Sequence, residues 1–99
     1  MSFKNRREDD TLIYFLSERL DADTAPALEE ELEQLPDDIR ELIFDLEDLT
    51  YIASSGLRAF LTAQKIMNSR EGSMSLRNVA DNIALVLKAT GFNMVMQIE

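Results

Sequence analysis

The sequence predicts a small α/β domain whose mixed β-sheet is packed by three main helices. Residues 41–98 alternate short apolar runs with longer segments whose apolar residues recur every three or four positions. This alternation is typical of parallel strands joined by right-handed helical crossovers. With 45% apolar content in 99 residues, the chain is long enough for one core, and no linker rich in glycine or proline divides it. We therefore expect residues 1–99 to form a single domain.

Three strands are predicted in the first half of the chain. Residues 2–8 are polar and form a short edge strand, which a turn of two aspartates separates from the next run. Residues 11–16 are aromatic and β-branched, as expected of a central strand. Residues 41–46 form a compact apolar run that predicts a buried strand.

A helix is predicted between the second and third strands. Asp23 or Thr24 can cap it, and Pro26 falls in its first turn, where a missing N–H group costs little. Its apolar residues recur at spacings of three and four as far as Leu35, so they form one stripe on the helix surface. Pro36 ends the helix.

The second half predicts two more helices, each followed by a strand. One helix spans about residues 55–70, and its apolar residues cover more than a narrow stripe, which indicates deep burial or an interface. A short strand at 74–76 follows. The third helix ends at Thr90, where Gly91 suits the left-handed closing position. Residues 94–98 form the last strand.

Composition excludes several classes of function. The chain contains no cysteine and no histidine, so disulfides, thiolate or histidine catalysis and the usual metal sites are excluded, and no metal or other cofactor is expected. An enzyme would have to use carboxylate or lysine chemistry, and the sequence contains no local motif typical of either. No apolar run approaches the roughly 18–20 residues of a membrane helix, and no apolar stretch follows the basic N-terminal residues, so we expect no signal peptide. We expect a cytoplasmic protein without direct membrane insertion.

The charge is acidic and unevenly placed. The formal net charge is −9, which argues against nucleic acid or an anionic membrane as a partner. Residues 21–48 contain twelve acidic side chains and one basic side chain, Arg40. This segment is either a solvated face that keeps the protein soluble or an acidic docking surface for a basic protein partner.

The most informative segment is the Ser-Ser-Gly turn at 54–56, between a predicted strand and a predicted helix. Ser54 and Ser55 fall where the unpaired N–H groups at the start of the helix point. Such a position tolerates negative charge. A serine there can cap the helix, or it can be phosphorylated, and the residues alone favour capping.

Four segments together resemble the STAS family of bacterial anti-sigma-factor antagonists. They are R-L-D-A-D-T-A at 19–25, D-L-E-D-L-T-Y-I-A-S-S-G-L at 45–57, S-L-R-N-V at 75–79 and L-K-A-T-G-F at 87–92. Each is weak alone, but four in the right order and spacing are specific. The resemblance covers roughly residues 10–98 and implies a STAS-like fold.

The resemblance implies a partner-switching protein rather than an enzyme. A serine kinase that also acts as an anti-sigma factor would phosphorylate Ser54, with Ser55 as the alternative acceptor. The unmodified protein would bind this kinase, the phosphorylated form would release it, and a PP2C-type phosphatase would reset the system. The residues implied in partner binding are Asp21, Asp23, Ser54, Ser55, Gly56, Leu57 and Arg58. For Asp21 and Asp23, plain helix capping is an equal alternative.

Three positions depart from the family pattern. Ala53 replaces the aspartate that usually precedes the phosphoserine, so either kinase recognition is altered or Ser54 is not a substrate. Arg58 replaces a usual glycine, four residues beyond Ser54, where its guanidinium group can reach a phosphate. The sequence reaches Glu99 just after the last predicted strand, so we expect the final helix of the family to be short or absent.

Two other functions remain as alternatives. The first is a STAS subunit that serves as a scaffold in a membrane transport complex and is never phosphorylated, which Ala53 favours. The second is a small enzyme or nucleotide-binding module. It is disfavoured because the chain has no glycine-rich phosphate loop and no histidine to activate a nucleophile.

Overall fold

The computed structural model describes residues 3–99, which contain one five-stranded mixed sheet. The strands lie side by side in chain order, β1-β2-β3-β4-β5. Only the β1–β2 pair is antiparallel, and the other neighbouring pairs are parallel. The bounds are Asn5–Glu8 for β1, Thr11–Leu20 for β2, Glu41–Ile52 for β3, Ser73–Arg77 for β4 and Gln97–Ile98 for β5. The predicted mixed sheet is therefore confirmed.

Three α-helices connect the parallel strands. They are α1 at Ala25–Glu33, α2 at Ser54–Ser69 and α3 at Asp81–Thr90. Right-handed connections between neighbouring parallel strands place such helices on the same face of a sheet. Pro26 lies in the first turn of α1, and Gly91 closes α3 with a φ of 80°, both as predicted. None of the helices in residues 3–99 is long and apolar enough to cross a membrane.

The core lies between the helices and the sheet face formed by alternate strand residues. Tyr14 of β2 stacks on Phe44 of β3, with ring centroids 5.7 Å apart. Phe44 in turn contacts Phe60 of α2, at 5.0 Å between centroids. Phe44 and Phe60 are completely buried. This stack fixes α2 against the middle of the sheet and so fixes the position of its first turn.

The main differences from the sequence predictions concern the ends of elements. β2 continues to Leu20 and β3 to Ile52, each several residues beyond the predicted end, because the two strands pair along this whole length. Helix α1 ends at Glu33, before Leu35. The predicted strand at 94–98 is reduced to β5, because Phe92–Met94 form a 3-10 turn instead.

The predicted strand at 2–8 is observed at Asn5–Glu8, and residue 2 lies outside the described residues. At the other end, no helix follows β5 in the described residues, which run to Glu99.

Candidate functional site

The candidate site lies where the carboxyl ends of β2 and β3 meet. Leu20 pairs with Ile52 at the end of the parallel ladder, and the amide N–H of Ala53 donates to the Leu20 carbonyl at 2.9 Å. The loop from β2 to α1, residues 21–24, therefore lies beside the start of α2. This extension of the ladder brings together the two segments that carry the predicted site residues.

Helix α2 begins at Ser54, so the predicted Ser-Ser-Gly turn is the first turn of the helix. Ala53 occupies the N-cap position with φ −102° and ψ 175°, and no side chain caps this end. The amides of Gly56 and Leu57 both donate to the Ala53 carbonyl, at 2.9 and 3.1 Å. The capping role considered for the serines is therefore wrong. The first two amides of α2, from Ser54 and Ser55, lie at an end that favours an anion.

The two serines differ in accessibility. Ser54 is exposed at the protein surface. Ser55 is half-buried, and its Oγ atom is enclosed without a hydrogen-bond partner among the described residues. A modifying enzyme can therefore approach the Ser54 hydroxyl, whereas the Ser55 hydroxyl is covered by the protein itself.

Gly56 and Leu57 lie beneath this surface. A Cβ atom added to Gly56 would lie only 2.8 Å from the Leu20 carbonyl oxygen and 2.8 Å from Cγ1 of Ile52. Glycine is thus required for α2 to approach β2 so closely. Leu57 is only 6% exposed and belongs to the core. The structure gives both residues a positioning role and leaves them little area for contact with a partner.

Asp21 organises the loop between β2 and α1. Its Oδ1 atom accepts from the amides of Asp23 at 3.0 Å and Thr24 at 3.3 Å, and its Oδ2 atom accepts from Nε of Arg19 at 3.1 Å. These bonds, the Arg19 one first, hold the pKa of the Asp21 carboxyl below its usual range. The Thr24 hydroxyl completes the turn by accepting from the Asp21 amide at 3.0 Å and donating to the Arg19 carbonyl at 2.9 Å. Asp23 is exposed beside it.

Sequence reasoning missed Arg19 and Tyr51. The two residues pair across β2 and β3, and Cζ of Arg19 lies 4.2 Å from the centroid of the Tyr51 ring. Tyr51 is 43% exposed, so part of its ring is available for contact with another molecule. With Asp21, they form a row of aromatic ring, cation and carboxylate. We call the four exposed residues Arg19, Asp23, Tyr51 and Ser54, together with the half-buried Asp21, the Ser54 surface.

Arg58 points towards α1. Its side chain is 68% exposed, and its Nη2 atom lies 3.8 Å from Oε2 of Glu29. The other oxygen of Glu29 accepts a hydrogen bond of 3.1 Å from the Thr62 hydroxyl. Arg58 thus lies one turn after Ser54 on the same helix face, as predicted, and it is paired with an acidic residue of α1.

An open groove of about 750 Å³ adjoins the Ser54 surface. It carries charges of both signs, and its lining includes Lys4, Phe15, Glu18, Arg19, Asp21 and Asp48. In residues 3–99 no group of three or more acidic, histidine or cysteine side chains is placed to hold a metal ion. The groups that this region exposes are charged and aromatic side chains and the Ser54 hydroxyl.

Comparison with known proteins identifies the class. The STAS domain family matches residues 2–99. An anti-sigma-B factor antagonist of Listeria monocytogenes is 30% identical over 95 residues, which cover 94% of this chain and 82% of that protein. An anti-sigma-B factor antagonist of Staphylococcus aureus is 31% identical over 80 residues, 80% of this chain and 74% of that protein. The chain therefore belongs to the STAS domain family, among its anti-sigma-factor antagonists.

Solved structures share the fold at low sequence identity. The unphosphorylated form of the anti-sigma factor antagonist SpoIIAA gives a TM-score of 0.80 at 16% identity, covering 99% of this chain and 87% of that one. Phosphorylated SpoIIAA from Bacillus gives 0.78 at 18%, with coverages of 99% and 91%. A sulfate transporter family protein from Wolinella succinogenes gives 0.81 at 18%, with coverages of 90% and 75%.

Proposed function

We propose that this protein binds an anti-sigma serine kinase through the Ser54 surface and that phosphorylation of Ser54 ends the binding. In the unmodified state it would occupy the kinase and free the sigma factor. A PP2C-type phosphatase would restore the unmodified state. The observation that carries the proposal is the exposed Ser54 hydroxyl at an uncapped helix N-terminus, within a chain of the anti-sigma-factor antagonist family.

The proposed switch acts locally and leaves the fold unchanged. Phosphorylation adds about −1.5 to −2 charges near neutral pH. At the start of α2 this charge meets free amides and the positive end of the helix dipole, which accommodate it. Burying the dianion against carboxylates of a kinase would be costly, so the interface is lost while the backbone stays in place. The similar TM-scores of unphosphorylated and phosphorylated SpoIIAA to this chain support a common fold for both states.

Contact with the kinase is assigned to the exposed members of the Ser54 surface. Tyr51 supplies an aromatic anchor that contacts Arg19, and Asp23 supplies an exposed carboxylate. Asp21 shapes the loop through its hydrogen bonds and contributes its charge at the edge. Such a site works by binding and carries no catalytic group. The partners implied are cytoplasmic proteins, and neither nucleic acid nor a lipid surface suits a chain of net charge −9.

Phosphorylation in vitro tests the proposal. The full chain is incubated with a serine kinase of the anti-sigma class and ATP, and intact mass and peptide mapping follow. We expect one phosphate, located on Ser54, which Ser54→Ala abolishes. Ser55→Ala is the matched control and should still be phosphorylated, because the Ser55 oxygen is enclosed. Two results would contradict the assignment. One is a phosphate on Ser55, and the other is no phosphate on this chain from a kinase that is shown to phosphorylate its own antagonist.

The second candidate function is a scaffold subunit of a membrane transport complex that is never phosphorylated. Two observations favour it: Ala53 in place of the usual aspartate, and the shared fold of the Wolinella succinogenes sulfate transporter family protein. The two functions differ in their stable partner. Co-purification of the chain with a transporter subunit, together with no phosphate uptake, would favour the scaffold.

A further inference from the structure

Arg58 lies on the helix face that begins at Ser54, and its present ion pair is weak. Ser54, Arg58 and Thr62 follow one another at intervals of four residues, which places their side chains along one face of α2. The 3.8 Å separation between Nη2 of Arg58 and Oε2 of Glu29 exceeds hydrogen-bond distance. Because the Arg58 side chain is 68% exposed, solvent screens the pair further. Arg58 is therefore easily drawn to another anion.

Glu29 does not depend on Arg58 for its position. The hydrogen bond of 3.1 Å from the Thr62 hydroxyl holds its Oε1 atom, and its side chain is only 23% exposed. When Arg58 leaves, the Glu29 carboxylate keeps this bond. The ion pair can thus break without separating α1 from α2.

The geometry of α2 puts the turn that contains Ser54 within reach of the Arg58 side chain, which in the unmodified protein points towards Glu29. Helical side chains incline towards the N-terminus, so a residue covers the surface of the turn before it. Cβ atoms four residues apart are about 5–6 Å apart, within reach of a guanidinium group. A phosphate on Ser54 would carry about −1.5 to −2 charges, more than the Glu29 carboxylate, and its oxygens match the planar fork of arginine.

We propose that Arg58 exchanges partners when Ser54 is phosphorylated, leaving Glu29 and binding the phosphoryl group. The inference rests on the proposed function and adds the residue that holds the modification. The exchange leaves the Glu29 carboxylate without its cation. Phosphorylation would then make the surface of α1 near Glu29 more negative, in addition to adding charge at Ser54.

The experiment uses the full chain with phosphoserine inserted at position 54 during translation, so that it requires no kinase. The second pKa of the phosphoserine, ordinarily about 6, is measured by phosphorus NMR. A bound guanidinium group favours the dianion, so Arg58→Gln should raise this pKa by about 0.5, roughly a threefold change in the proton-dissociation constant. Glu29→Gln removes the competing anion and should lower the pKa, more strongly when Arg58 is present than when it is absent.

Lys65→Gln is the matched control. It removes the same charge from the same helix but lies roughly 16 Å along the axis from Ser54, against roughly 6 Å for Arg58. Both side chains are exposed, so neither substitution should affect folding. We expect Lys65→Gln to leave the pKa almost unchanged. Equal pKa values for the Arg58→Gln and Lys65→Gln proteins would overturn the exchange and leave the proposed phosphorylation standing. If a kinase failed to modify Ser54, the proposed phosphorylation would be overturned. The pKa measurement would still stand, because its phosphoserine is inserted during translation.

Discussion

Replacing Ala53 with asparagine should stabilise the domain by supplying the helix cap that α2 lacks. The backbone of Ala53 already has the extended conformation of an N-cap residue, and no side chain occupies this role. An asparagine oxygen at this position can accept from the free amide of Ser55. Caps of this kind contribute about 0.5–2 kcal/mol, so we expect a free energy of unfolding about 1 kcal/mol higher. For a chain of this length, the thermal midpoint should rise by about 4–8 °C.

Urea unfolding followed by circular dichroism measures this effect. Ala53→Gly is the control for the backbone, since glycine caps a helix without a side-chain bond. Ala80→Asn is the matched substitution at the start of α3, where Ala80 has φ −66° and ψ 154° and again no side chain caps the helix. An Ala53→Asn protein that unfolds at the same urea concentration as the wild type would refute the capping argument.

Two further predictions concern the frame of the site. Gly56→Ala should lower the free energy of unfolding, measured in urea, by about 1–3 kcal/mol, because the added methyl group meets the Leu20 carbonyl. Alanine has the better helix propensity, so a gain in stability would contradict this close approach. Because the folded-state pKa of Asp21 is depressed, its stabilisation is present above the ordinary value of 3.8 and is lost as pH falls through the lower folded-state value. The stability difference between wild type and Asp21→Asn should therefore shrink on acidification, and a constant difference between about pH 7 and pH 2 would argue against it.

The sequence was sufficient to predict the order of strands and helices and the position of the site at the start of α2. The apolar spacing in α1, α2 and α3 and the position of Gly91 identify all three helices, because each helix buries one periodic face. The predicted lengths of β2 and β3 were too short, and the residues left out of the prediction are largely polar. Those residues are extended because each strand pairs with the other, and periodicity within one segment cannot report such pairing.

The parts of the site that were missed depend on register and on contacts between helices. Arg19 meets Tyr51 only because two irregularities shift the pairing of β2 and β3, and single-sequence patterns do not locate such bulges. The contact between Arg58 and Glu29 depends on how α1 packs on α2. Likewise, the accessibility of Ser54 and the enclosure of the Ser55 oxygen are set by tertiary packing.

The affinity of an anti-sigma serine kinase for Ser54 variants is the most direct test of the central claim. Titration calorimetry would compare the wild-type chain with Ser54→Ala and Ser54→Asp, and thermal unfolding would confirm that all three are folded. The account predicts that Ser54→Ala binds like wild type and that Ser54→Asp binds at least about tenfold more weakly, a difference of about 1.4 kcal/mol. Equal affinities for all three proteins would contradict a switch based on charge at Ser54.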